Sequence, residues 1–281
     1  MKTWKKIVLG VSLISLFLGG GLVAWGYSQG GLTDLQNQTK SEQDYVKKEV
    51  DDFSKIDIKS SSYNVLIKNG DVDKATLSYY QKTKNPIDTS VKDGQLTIND
   101  NNSELDSTSN KHINFFGLKD LVRLSTLNEE VRNKTIVITL PKKQTIDFLK
   151  VDLATGNLDL SNSTIKQADI NLNVGDLTFT KMIVSQLKAN LDVGSVDSDH
   201  TLFTNSDLSI AMGDYSGDNL IFNGHNKLDV TSGDIELALK DYMLNVQADS
   251  HSGEVDITNN LKISKDNTLT ITSDLGDITV E

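Results

Sequence analysis

The side chains best placed by type and spacing to do chemistry follow a recurring glycine. Asn157, Asp176, Ser195, Asp214, Asp234, Glu254 and Asp277 each come directly after one. Stacked about 5 Å apart, such carboxylates repel one another, and a divalent cation relieves the repulsion. Surface calcium is the one ligand this suggests. The competing reading is structural: Asp and Asn suit tight turns because their side chains accept from nearby backbone N–H groups. Asn157 and Ser195 dilute the charge, which favours the turn, so no cofactor is expected.

Asp192, Asp197 and Asp199 lie close in sequence to His200. The spacing does not make a calcium loop, because no acid follows a central glycine at the closing position. A solvated acidic corner is expected. Paired acids also cleave glycosidic bonds, but here many pairs could sit at a suitable separation. Both Trp, Trp4 and Trp25, fall near the N-terminus and cannot line a sugar cleft. His112, His200, His225 and His251 share no register, and the absence of Cys removes thiolate chemistry. No nucleophile elbow or phosphate loop is present. The sequence therefore predicts no catalytic, cofactor-binding or metal site and no enzyme.

The elements that position these residues come from a repeat. The phrase apolar-x-apolar, two residues, Gly, polar, apolar-x-apolar is clearest at Val151–Leu160, Ile170–Phe179 and Leu228–Leu237. Its glycines are Gly156, Gly175, Gly194, Gly213, Gly233, Gly253 and Gly276, at intervals of 19, 19, 19, 20, 20 and 23. Alternation within each unit makes strands. Leu158, Leu177, Val196, Tyr215, Ile235, Val255 and Ile278 would stack as one apolar ladder. Val151, Ile170, Ala189, Leu208 and Leu228 would form a second. A third runs near Ile165, Val184, Phe203, Phe222, Met243 and Ile263. Three ladders predict three short strands per turn: an all-β fold, a parallel β-helix or β-solenoid of about 19–20 residues per coil, each coil stacked on the one before. Pro is absent from the repeats, as fits strands that donate to both neighbours.

The N-terminus predicts location. Lys2, Lys5 and Lys6 precede the uncharged stretch Ile7 to Trp25, and the first acid is Asp34. As a helix the stretch would span about 28 Å, enough for a hydrocarbon core. Residues 1–27 are thus expected to form a cytoplasmic basic tip and one transmembrane helix, with the C-terminal bulk extracellular. A cleaved signal peptide is the alternative. Net charge is −11 overall; setting the three Lys aside leaves −14 outside, which disfavours nucleic acid. Residues 28–52 read as a polar tether, helical near Ser41–Val50.

Residues 53–147 carry the strand pattern less regularly and are expected to continue into the seven-coil solenoid at 148–281. Phe53–Ile58 with Tyr63–Ile67 reads as a degenerate first coil; Ala75–Tyr80, Gly94–Ile98 and Thr135–Leu140 are further strands. An insertion at 110–131 has partly helical apolar spacing through Phe115, Phe116, Leu118, Leu121 and Val122. It is either a cap over the solenoid or a docking surface for a partner or the bilayer.

The basic-then-apolar N-terminus, the opening Ile56-Asp-Ile58 with Val65-Leu-Ile67, the strand Ile136–Pro141 and corners such as Ser232-Gly-Asp-Ile235 together resemble one family. It is the bacterial β-strand-repeat family of "putative adhesins", to which LiaG-like membrane proteins belong. The resemblance spans roughly 53–281. It implies a β-solenoid outside a bacterial membrane with an envelope or surface role. Gly194-Ser195 and Gly253-Glu254 depart from the Gly-Asp corner.

The function expected is non-enzymatic adhesion, scaffolding or envelope interaction through a protein or glycan partner at the cell surface. The alternative is an accessory or sensory regulator of a membrane or envelope-stress system, and a polysaccharide-active enzyme comes third. The last coil, Leu269–Val280, is expected to leave an open edge suited to weak self-association.

Overall fold

The computed structural model describes residues 43–82, 86–100 and 134–281. Ile7 to Trp25 and the 110–131 segment, with Phe115, Phe116, Leu118, Leu121 and Val122, lie outside these residues. Among the described residues no helix is long and apolar enough to cross a membrane.

Each regular coil has three strands. One precedes the corner glycine, as in Leu187–Val193, and one follows it, as in Val196–Asp199. A short third, such as Leu202–Thr204, returns to the start of the next coil. Strands of successive coils pair parallel and in register: Ile170 with Ala189 and Leu208, Leu177 with Val196 and Tyr215, Val184 with Phe203 and Phe222. Strand alternation turns every second side chain inward. The three ladders are therefore the core: Val151, Leu158, Leu177, Val196, Val184 and Ile165 are all at most 1 % exposed. Phe203 stands edge-on to Phe179 at 5.2 Å and stacks on Phe222 at 5.8 Å, so aromatic contacts join coils across the interior.

Three ladder members depart from expectation. Met243 is 48 %, Ile263 84 % and Val255 38 % exposed, while Leu244 is buried. The chain loops out over 258–267 instead of making a third strand there, and Lys262 N–H donates to the Tyr242 carbonyl to hold the loop in place.

The stacking order also differs from chain order at both ends. Lys55–Ser60 lies between Gln95–Asn99 and Thr145–Leu153, and Asn64–Gly70 lies between Thr135–Pro141 and Leu158–Ser161. At the other end Thr268–Leu275 inserts between His225–Ser232 and Asn245–Ser252. Ile278–Val280 likewise sits between Ile235–Leu239 and Val255–Ile257. The Leu269–Val280 coil is therefore an interior rung and not the expected open edge. The physical reason is apolar content. Leu269, Ile271, Ile278 and Val280 supply four large inward side chains, whereas the 245–257 coil offers Val246, Ala248, Val255 and Ile257, with an alanine among them. The richer segment takes the buried place.

The opposite end is closed by antiparallel strands. Asp88–Lys92 folds onto Gln95–Asn99 through Asp93 and Gly94, whose φ values of 50° and 72° make the turn that suits a two-residue hairpin. Thr76–Lys82 lies antiparallel on Thr135–Pro141. Gln43–Glu49, expected to be helical, is a strand paired with Thr76–Lys82. Val46, Lys48 and Val50 turn toward the protein while Tyr45, Lys47 and Glu49 are exposed, the period of two that suits an edge strand better than a helix face.

Candidate functional site

The corner glycines stack directly. A Cβ on Gly194 would sit 1.9 Å from the Gly175 carbonyl oxygen, and its φ of 149° lies where L side chains are disfavoured. Close backbone approach brings the next residue of each coil onto its neighbour. Asn157 Oδ1 accepts from Asp176 N–H at 3.0 Å, and Asp176 Oδ1 from Ser195 N–H at 3.0 Å. Ser195 Oγ accepts from Asp214 N–H at 3.4 Å, and Asp214 Oδ1 from Asp234 N–H at 2.9 Å. The chain of bonds then runs from Asp234 to Asp277 N–H at 2.9 Å and from Asp277 to Glu254 N–H at 2.8 Å. It begins one coil earlier, with Asn64 Oδ1 accepting from Asn157 N–H at 2.9 Å.

The acids that looked able to collect cations thus serve the stack. One side-chain oxygen of each corner residue other than Glu254 caps an N–H of the neighbouring coil, a charge-assisted bond where the acceptor is Asp. The bonds run between coils and not within one turn, so the turn reading of these residues gains a different mechanism. Ser195 and Asn157 fill their places because any short side chain with an acceptor oxygen suffices.

A second corner is built from residues with left-handed backbone. Asn162, Lys181 and His200 follow one another at φ 52°, 54° and 49°, and Asn219 at 55°. Here Asp199, His200 and Asp218 bring one ligand atom each within 4.8 Å of the others. Asp199 and Asp218 are register partners on adjacent strands, and His200 Nδ1 lies 2.6 Å from Asp199 Oδ1. Asp192 and Asp197, grouped with them by sequence, are not members. Asp218 also accepts from Asn219 Nδ2 at 2.7 Å. Beside this corner lies an open hollow of about 260 Å³. Ile183, Leu202 and Ile221 line it as an outward apolar ladder, with Lys181 and Lys240 at its rim.

The family model described as Toastrack DUF4097 matches residues 53–281. The chain belongs to the Toastrack DUF4097 family. Among solved structures it is similar to a "putative cell adhesion protein" from Clostridium sporogenes ATCC 15579, at 17 % identity, 85 % of this chain, 98 % of that one and a TM-score of 0.36. It is also similar to a "putative adhesin" from Bacteroides fragilis NCTC 9343, at 15 % identity, 86 % and 98 % coverage and a TM-score of 0.41. A "putative adhesin" from Parabacteroides distasonis ATCC 8503 matches at 13 % identity, 85 % and 98 % coverage and a TM-score of 0.36. No curated protein matches the chain.

Within the Toastrack region, sequence reasoning missed two polar sites. Asp100 is 7 % exposed and its Oδ2 accepts from Ser60 Oγ at 3.1 Å and Ser61 Oγ at 3.0 Å. It ties the first coil to the end of Gln95–Asn99. Nearby, the Tyr63 hydroxyl donates to the Tyr80 carbonyl at 3.0 Å; burial, with help from the Asp100 charge, pushes the phenol up to about 12. The second site is Asp159. It faces outward in register with Leu66 and Thr178 yet is only 2 % exposed. Among the described residues neither its Oδ1 nor Thr178 Oγ1 has a hydrogen-bond partner. Burial pushes its carboxyl up to about 6, against the opposing pull of Lys68. A sequence signal existed: Asp159 stands alone between Leu158 and Leu160, but alternation alone assigns it to solvent.

Proposed function

We propose that this Toastrack protein is a membrane-tethered, non-enzymatic surface module that makes adhesion-like contacts with a protein or glycan at the outer face of a bacterial cell. The observation that carries the reading is the use of the corner acids. Side chains that repeat with the coil and resemble a site by sequence are committed to backbone N–H groups of the next coil. What the fold leaves free among the described residues is the set of outward strand faces, a broad contact surface. Tethering would come from Ile7 to Trp25, with Lys2, Lys5 and Lys6 on the cytoplasmic side.

The test replaces Ile7 to Trp25 with an unrelated transmembrane segment and measures cell binding to immobilised cell-wall glycans and to partner cells. A tethered binder retains binding after the exchange. Loss of activity with intact surface display would instead support the regulator reading, in which the helix itself carries the signal. Release of soluble sugar from the same glycans would establish an enzyme and overturn the proposal. Protease added to intact cells should remove the 44–281 region; its protection would refute the extracellular placement.

A further inference from the structure

The two ends of the stack are finished differently. At one end both sheets are closed by antiparallel strands, Asp88–Lys92 on one and Thr76–Lys82 on the other. At the opposite end Asn245–Ser252 and Val255–Ile257 pair on one side only, with Thr268–Leu275 and Ile278–Val280. Among the described residues no strand lies on their far side. The inward side chains of this rung are incompletely covered. Val246, Ala248 and Ile257 are half-buried and Val255 is 38 % exposed, while their register partners Leu269, Ile271, Val280 and Ile278 are at most 1 % exposed. Ile263, exposed at 84 %, lies in the loop that follows this rung, and exposed Met243 lies just before it.

We infer that this open coil is a two-fold interface with a second copy of the chain, in which Asn245–Ser252 pairs antiparallel with its own counterpart. The two ends carry unlike edges among the described residues, so a head-to-tail contact would join different strands and repeat without closing. A two-fold contact uses the open end of both copies and closes at the dimer.

The backbone directions permit the pairing. Asn245 N–H donates inward to the Asn267 carbonyl at 3.0 Å. Alternation then points the backbone N–H and C=O groups of Asn245, Gln247 and Asp249 toward the neighbouring rung and those of Val246, Ala248 and Ser250 toward the open edge. Charge selects the register. Two antiparallel registers overlap nearly the whole strand, one centred on Ala248 and one on Asp249. The second sets two carboxylates directly opposite each other, which is destabilising. The first sets Gln247 opposite the second copy's Asp249 and Asn245 opposite the second copy's His251, with Ala248 facing its counterpart across the axis. Glu254, Asp256 and Asp266 exceed the cations Lys262 and Lys265 around this end. Like charge therefore opposes the approach, and salt, by screening it, tightens the dimer.

The experiment uses the full chain in detergent. Sedimentation should give a dimer whose dissociation constant falls as salt rises. Ala248→Pro removes no inward ladder bond, because that N–H faces the open edge; it should yield monomer with an unchanged thermal transition. The chain has no Cys, so Gln247→Cys mixed with Asp249→Cys should oxidise to a disulfide-linked dimer in greater yield than either variant alone. Monomer at every concentration overturns the inference, as does a dimer that Ala248→Pro leaves intact, which would assign association to another surface. Cross-linking of Gln247→Cys mixed with His251→Cys, the pair that the Asp249-centred register would align with Asp249 left in place, at a yield above the first mixture overturns the Ala248-centred register. If Ala248→Pro lowers the thermal transition, the cross-linking yields decide.

Discussion

Asp159→Asn isolates a single buried charge. The wild-type carboxyl is 2 % exposed and burial raises it from 3.8 to about 6. A carboxyl raised in the folded state binds its proton more tightly there than in the unfolded chain. Its stabilising contribution is thus complete below the unfolded value, declines as pH rises through about 6, and is absent above. The interval of about two pH units corresponds to about 3 kcal/mol, at about 1.4 kcal/mol for each. The amide cannot titrate, and the cost of burying it is the same at both ends of the pH range. Urea unfolding of wild type and variant at roughly pH 3.5 and roughly pH 7.5 cancels that cost and every other titrating group. The stability of Asp159→Asn relative to wild type should rise between the two by about 2–3 kcal/mol. Lys68→Met, which removes the cation opposing the rise, should widen the titration window upward. Parallel pH profiles for wild type and Asp159→Asn would refute the reasoning and mean that the carboxylate is solvated or paired in the folded chain.

Gly194→Ala places a methyl on the Gly175 carbonyl in a backbone region only glycine tolerates, and should cost ~3 kcal/mol or more in thermal or urea unfolding. Phe203→Ala removes the ring that joins Phe179 to Phe222 and should cost about 3–5 kcal/mol, whereas Phe203→Leu should cost clearly less. Asp176→Ala strands the Ser195 N–H and should cost about 1–2 kcal/mol, while Asp176→Asn, which keeps the acceptor oxygen, should stay near wild type. Calcium and a chelator should both leave the melting temperature unchanged, because one oxygen of each corner Asp is committed to an N–H of the next coil; a rise with calcium would show that the ladder or the Asp199, His200 and Asp218 group takes up the ion.

The regular part of the fold was legible because its signal is local and repeated. The corner glycines and the inward residues at fixed offsets name the coil, its three strands and its core from Val151 to Phe222. The rung order was not legible, since a period states that units are alike without stating which neighbour each one chooses. That choice depends on comparing Leu269, Ile271, Ile278 and Val280 with the thinner set at 245–257, a competition between segments far apart in the chain. Burial of Asp159 was hidden for a related reason: alternation gives the direction of a side chain, not what lies over it. The corner acids show a third limit. Their spacing admits cation binding beside turn formation, with Asn157 and Ser195 favouring the turn, and only the approach of successive coils reveals which N–H each oxygen meets. Gln43–Glu49 reads ambiguously because a short polar segment has too few apolar positions to separate the helical period from the strand period.

The insertion of Thr268–Val280 beneath a segment made earlier has a bearing on how the chain reaches its final state. A polypeptide emerging N-terminus first can zip rung upon rung as far as Leu239. The next segment to appear, 245–257, has no permanent seat, because its seat is the face of a strand not yet made. It must wait, or dock provisionally on His225–Ser232 and be displaced. The final residues then act as a keystone: they complete two rungs at once, and cutting the chain before Thr268 would strip both.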